Sequence, residues 1–159
     1  VSLVTSGAIL IDGLLGSTGG SVTVGDATDP TATITLDVGG STITTVGGDI
    51  TLHGDAVLAQ DTTISTGAGG GDVTITGLTD ASAPGGSSLT VASGTGDTDL
   101  GKIGSVASLS ALTLTGDDIT LDGIGTLGAQ GVTGLTDVPA TGTLTRGGTN
   151  YHGASPSHD

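Results

Sequence analysis

The residues with the most obvious chemical capacity in this chain are its sixteen acidic side chains, all of them Asp. Several lie close enough in sequence to converge on a hard cation: Asp97-x-Asp99, Asp117-Asp118 with Asp122, and Asp26-x-x-Asp29. Carboxylate oxygens at such spacing suit calcium. The more specific form of that signal is a tandem nonapeptide, Gly-Gly-x-Gly-x-Asp-x-apolar-x. Gly69-Gly70-Gly71-Asp72-Val73 approximates it once and does not recur. Turn preference accounts for these positions equally well, because Asp bonds its own neighbouring backbone and keeps a surface soluble. Asp97, Asp99, Asp117, Asp118 and Asp122 therefore stand as calcium candidates, and no other cofactor is expected.

Other chemistries find fewer parts. Cleavage of a polysaccharide needs paired carboxylates in distinct roles, or a base beside a metal. Lys102 and Arg146 are the only basic residues apart from three His, and Tyr151 is the only aromatic one. No nucleophile–base pair and no phosphate loop can be assembled, so the chain is not expected to be an enzyme. His152 and His158 share the C-terminal stretch, whereas His53 stands alone, and solvated imidazoles explain all three. The threonines offer a different possibility. Thr23, Thr51, Thr74, Thr90, Thr113 and Thr120 each occupy the middle of an apolar-Thr-apolar triplet. On a strand the middle residue faces away from its neighbours, so a stack of such strands would display a hydroxyl and methyl ladder of the kind that could meet ice.

Those residues need elements to hold them, and the composition says which. Gly makes up 32 of 159 residues, and Glu, Met, Phe, Trp and Cys are absent. A chain without Glu and with one Lys is poorly stocked for exposed helix faces. Thr, Val and Ile interrupted by Gly suit short strands and tight turns. The net charge of −14 repels phosphate backbones and anionic bilayers, which excludes nucleic-acid binding. Residues 8–15 are apolar but too short to span a membrane, so no membrane insertion is expected. A chain that opens on Val1 is expected to be a processed or partial product.

The spacing is periodic. Gly47-Gly48-Asp49-Ile50-Thr51-Leu52 returns as Gly70 to Ile75 after 23 residues, and as Gly116 to Leu121 after 69. Between these, Ile34, Ile43, Ile50, Val57, Ile64 and Val73 follow one another at seven to nine residues. A three- or four-residue strand plus a short turn consumes that length, and three such sides make a coil of roughly 21–25 residues. One such coil buries too little to fold alone, so each must stack on the next. The spacing predicts an all-β parallel β-helix, a β-solenoid of about 23 residues per coil. Residues 1–20 read as an irregular first coil or cap, 21–138 as the coils, and 139–159 as a polar tail. Thr79 to Gly86 and Gly94 to Gly101 fall off the 23-residue register and are expected to bulge as loops. The tail is expected to dock as an added strand through Gly142 to Thr145, making Leu144, Arg146 and Tyr151 candidates for contacts between subunits.

The phrases GGDITL, AVLAQDTTIST, GGDVTITG and GSVASLSALTLTGDDITLDGIGT resemble the repeats of filamentous-haemagglutinin-like and autotransporter-type bacterial surface proteins, over residues 19–137. That resemblance implies a right-handed parallel β-helix, export, and a place at the cell surface or in an extracellular filament. The chain departs from it in being short, in lacking a membrane-anchoring barrel, and in having Asn150 as its one Asn. Few edge-blocking residues interrupt the repeats, with Pro only at 30, 84 and 139 and no Lys before Lys102, so open solenoid ends are expected to stack. The expected function is a structural subunit or fragment of an extracellular filament, sheath or adhesin. Its expected partners are further copies of itself and surface glycans. The alternative is an extracellular binding module for glycan, calcium or ice on the same scaffold.

Overall fold

A computed structural model describes residues 1–124, 143–146 and 149–152. Strands dominate: β1 (Ser2–Leu3), β2 (Ile9–Ser17), β3 (Val22–Gly25), β4 (Thr33–Thr45), β5 (Ile50–His53), β6 (Asp55–Leu58), β7 (Thr62–Ser65) and β8 (Val73–Ile75) come first. They are followed by β9 (Thr79–Ala81), β10 (Ser88–Ala92), β11 (Thr98–Ile103), β12 (Ala111–Thr115), β13 (Ile119–Ile124), β14 (Thr143–Arg146) and β15 (Thr149–His152). All neighbouring strands pair in parallel except β14 with β15. The chain is a β-solenoid with coils of about 23 residues.

Each coil has three faces. Face one stacks β1, β3, β5, β8, β11, β13 and β14. Face two stacks the first half of β2, the first half of β4, then β6, β9 and the end of β11. Face three stacks the second halves of β2 and β4, then β7, β10 and β12. Alternation along each strand aims every second side chain inward. On face one this builds two buried columns, Val22–Ile50–Val73–Thr98–Ile119 and Val24–Leu52–Ile75–Leu100–Leu121. Ile43–Ile64–Val91–Leu114 does the same on face three, and Leu36–Leu58–Ala81 on face two. Each column continues the hydrophobic surface of the coil before it, which is why no single coil needs a core of its own.

Coil length varies at particular corners. Val22 is paired with Ile50 at an offset of 28, Ile50 with Val73 at 23, Val73 with Thr98 at 25 and Thr98 with Ile119 at 21. The long first interval holds the turn 26–32, where Asp26 Oδ1 accepts from the Thr28 N–H (2.8 Å) and the Thr28 hydroxyl (2.8 Å). The stretches 79–86 and 94–101 correct the sequence reading. Thr79–Ala81 and the first residues of Thr98–Ile103 are strands of the coil, not bulges. Thr98 takes a Val or Ile position in its column because it is nearly isosteric with Val. Its hydroxyl meets the Ser93 hydroxyl at 3.0 Å, and Ser93 Oγ also donates to the Gly96 carbonyl at 2.8 Å. That bond network removes the penalty of burying Thr98 among aliphatics.

The corner between faces three and one is a column of glycines. A Cβ on Gly48 would lie 2.5 Å from the carbonyl carbon and oxygen of Gly20, and one on Gly71 would run into the Gly48 carbonyl. Gly96 repeats the relation with Gly71. Backbones one strand spacing apart leave no room there for a side chain.

Candidate functional site

The aspartates divide into two structural roles. One set forms a ladder at the entry to face one. The N–H of Asp72 donates to Asp49 Oδ1 (3.1 Å), that of Asp97 to Asp72 Oδ1 (2.9 Å), and that of Asp118 to Asp97 Oδ1 (3.2 Å). Asp49 N–H donates to Ser21 Oγ at 3.2 Å, so the ladder begins on a serine. Each carboxylate thus satisfies a backbone N–H that the turn takes out of the parallel ladder, one coil further on. A second set does the same elsewhere: Asp55 accepts from Leu78 N–H (2.8 Å), Asp61 from Ser88 N–H (2.8 Å), and Asp80 from both Val106 N–H (3.0 Å) and Ala107 N–H (3.2 Å).

Of the calcium candidates, Asp97 is an acceptor in this ladder, and Asp118 donates to it through its backbone. Asp99 stands in the outward column of face one, in register with Thr74 and Thr120. Thr98 between Asp97 and Asp99 points into the core, so the two carboxylates flank an inward-facing residue. Asp117 lies in the turn before β13, and Asp122 is exposed on that strand. Among the described residues no group of three or more His, Cys, Asp or Glu is placed to hold a metal ion.

Two carboxylates are held below their ordinary value of 3.8. For Asp61 the backbone N–H of Ser88 is the main cause and the Ser88 hydroxyl the second. For Asp26 it is the Thr28 N–H, then the Thr28 hydroxyl. A depressed folded pKa stabilises the fold above the unfolded value, and that contribution disappears as pH falls through the folded value. The melting temperature is therefore expected to fall with acid below about pH 4. In Asp61→Asn, which keeps the acceptor oxygen but cannot titrate, part of that dependence should vanish in melts across pH 2 to 5. An unchanged acid slope would contradict the assigned role of Asp61.

The threonines separate into two ladders. On face one Thr23, Thr51, Thr74 and Thr120 are in register, with Asp99 interrupting the column between Thr74 and Thr120. On face three the outward column runs Leu14–Thr42–Thr63–Thr90–Thr113, uninterrupted and without a shift between Thr42 and Thr113. Beside it runs Gly16–Thr44–Ser65–Ala92–Thr115. The sequence pattern placed Thr90 and Thr113 in the same ladder as Thr23. The fold places them on another face, together with Thr42 and Thr63, which the triplet pattern did not single out.

The first coil is the other distinctive surface. Among the described residues β1 pairs only with β3, and β2 only with β4. Val1, Leu3, Val4, Leu10 and Leu14 all belong to it and are between 40% and 74% exposed; Leu3 is in register with the sealed Val24, whereas Leu10 and Leu14 head outward columns. Ile9 and Leu15 are only partly covered. At the opposite end β14 extends face one in parallel, with Leu144 at the register of Ile119 and Arg146 at that of Leu121. β15 then runs antiparallel to β14, with Tyr151 opposite Leu144. The side chains of Leu144, Arg146, Tyr151 and His152, and all of His158, lie outside the described residues. Among the described residues no helix is long and apolar enough to cross a membrane.

Comparison with protein-family models, with curated proteins and with solved structures gave no match for this chain.

Proposed function

We propose that the chain is a stacking unit of an extracellular or cell-surface filament, sheath or adhesin, of the kind built by filamentous-haemagglutinin-like proteins. The observation that carries this is the first coil, where strand edges without a described neighbour coincide with the open ends of the inward columns: Leu3 heads the column of Val24, and Ile9 and Leu15 head those of Ile34 and Ile43 and are only partly covered. An exposed apolar patch combined with a free strand edge is the ordinary signature of a surface that pairs with another chain. A second copy brings what that surface lacks, a further coil with matching inward columns. On the other side, among the described residues, β12 pairs only with β10. An end-to-end contact between unlike ends does not close on itself and grows as a fibre.

Charge sets the conditions. At −14 each subunit repels the next, and the repulsion weakens with salt and as pH approaches the isoelectric point of about 4.1. Electron microscopy and sedimentation of the purified chain should show unbranched fibres, more of them at pH 4.5 than at pH 7.5 at low ionic strength. Monodisperse monomers at every pH and concentration would refute the proposal.

A further inference from the structure

We infer that face three is the surface by which stacked copies pair side by side. This inference rests on the stacking function proposed above. The two outward columns of face three, Thr42–Thr63–Thr90–Thr113 and Thr44–Ser65–Ala92–Thr115, carry no charge at all. Asp61 lies at the edge of the face, immediately before β7, where its carboxylate is engaged by the Ser88 N–H. The other faces differ. Face one carries Asp99 and, at its end, Asp122, and face two carries Asp12, Asp37, Asp55, Asp80 and Lys102. In a chain with a net charge of −14, face three is where two copies can approach without placing carboxylates against each other.

Its relief also suits a protein partner. The column is headed by Leu14, 74% exposed on the same outward side, and an exposed leucine favours apolar contact over contact with ordered water. The remaining side chains are Thr, Ser and Ala, short enough for two such sheets to pack face to face at roughly 10 Å. A glycan partner would be expected to use aromatic platforms, and the chain's sole aromatic residue is Tyr151, at the far end of face one.

Size decides when pairing occurs. Four rungs at about 4.8 Å and a five-residue strand give a patch of roughly 300 Å². A stable specific interface needs about 800 Å² per partner, so two isolated subunits do not pair through it. In a fibre that continues the columns, every added subunit extends the patch, and pairing becomes favourable through the number of simultaneous contacts.

The test compares the full chain with Thr90→Arg, and with Thr63→Arg in case the first variant folds poorly, under the fibre-forming conditions above. Circular dichroism confirms folding, and Thr51→Arg on face one serves as control. Wild type and Thr51→Arg should give fibres joined laterally into pairs or bundles. Thr90→Arg and Thr63→Arg should give single fibres, with the paired fraction falling at least tenfold. Bundling in the face-three variants equal to wild type, or wild-type fibres that never pair, overturns the inference and leaves the stacking function intact. Absence of fibres in all proteins overturns both. Inhibition of ice growth by the monomer, lost in Thr90→Arg, would reassign the face to ordered water and also overturn it.

Discussion

Gly71→Ala is expected to destabilise the chain strongly. The new Cβ would collide with the Gly48 carbonyl and approach Asp49 N to 3.0 Å. Both atoms belong to backbone held in register by the strands on either side, Ile50 with Val73 and Val73 with Thr98. No rotamer relieves the overlap, because the clash is with Cβ itself. Relaxation would require two coils to separate at a corner where Asp72 N–H bonds Asp49 and Asp97 N–H bonds Asp72. Overpacking usually costs about 1–3 kcal/mol where side chains can yield, so a backbone collision belongs at about 3 kcal/mol or above. For a chain of this length that lowers the melting temperature by roughly 6–12 °C. Gly19→Ala is the matched control, since a Cβ there meets nothing within 4 Å, and its melting temperature should barely move. Equal melting temperatures for the two variants would show that the corner column is not close-packed.

The second large effect concerns assembly. Leu3→Asp places a carboxylate at the head of the inward column of face one that continues as Val24, at an end where Leu3 is 40% exposed in the monomer. In the monomer the new carboxylate keeps access to water at that open end. An end-to-end contact covering that coil would enclose an unpaired charge, which costs several kcal/mol. At about 1.4 kcal/mol per tenfold, the concentration needed for fibres should rise at least roughly a hundredfold while the melting curve stays within about 2 °C of wild type. The same substitution at Val106, 67% exposed in the turn between β11 and β12, should leave assembly unchanged. Equal loss at both sites would point to net charge alone as the cause.

Much of the fold was legible because the solenoid is written in local phrases. Alternation in Ile50-Thr51-Leu52 and Val73-Thr74-Ile75 predicts a strand with a buried and an exposed side, and the 23-residue return predicts their stacking. Both are present, with Ile50 paired to Val73. The pattern failed where a polar residue replaced an aliphatic one. Thr98-Asp99-Leu100 reads as a loop, yet Thr98 lies in the core column because Ser93, five residues earlier, supplies its hydroxyl with a partner. That signal lies in the turn and not in the strand, so strand alternation could not reveal it. Faces are likewise invisible to a triplet pattern, since one triplet looks like another whichever side of the coil it occupies. Hence Thr90 and Thr23 read alike and stand on different faces. The aspartates were legible as turn formers, but that Asp49, Asp72 and Asp97 each serve the coil beyond their own follows from the stack alone.

Stacking of copies with the coil axis along the fibre has a direct physical signature. Diffraction from aligned fibres, or helical reconstruction from electron micrographs, measures the axial rise per subunit. Five to seven rungs per chain at about 4.8 Å predict a rise of roughly 24–34 Å, with strong axial intensity at about 4.8 Å. A 4.8 Å repeat with no longer subunit rise, as in stacks of single extended segments, or strands running along the fibre axis, would contradict it.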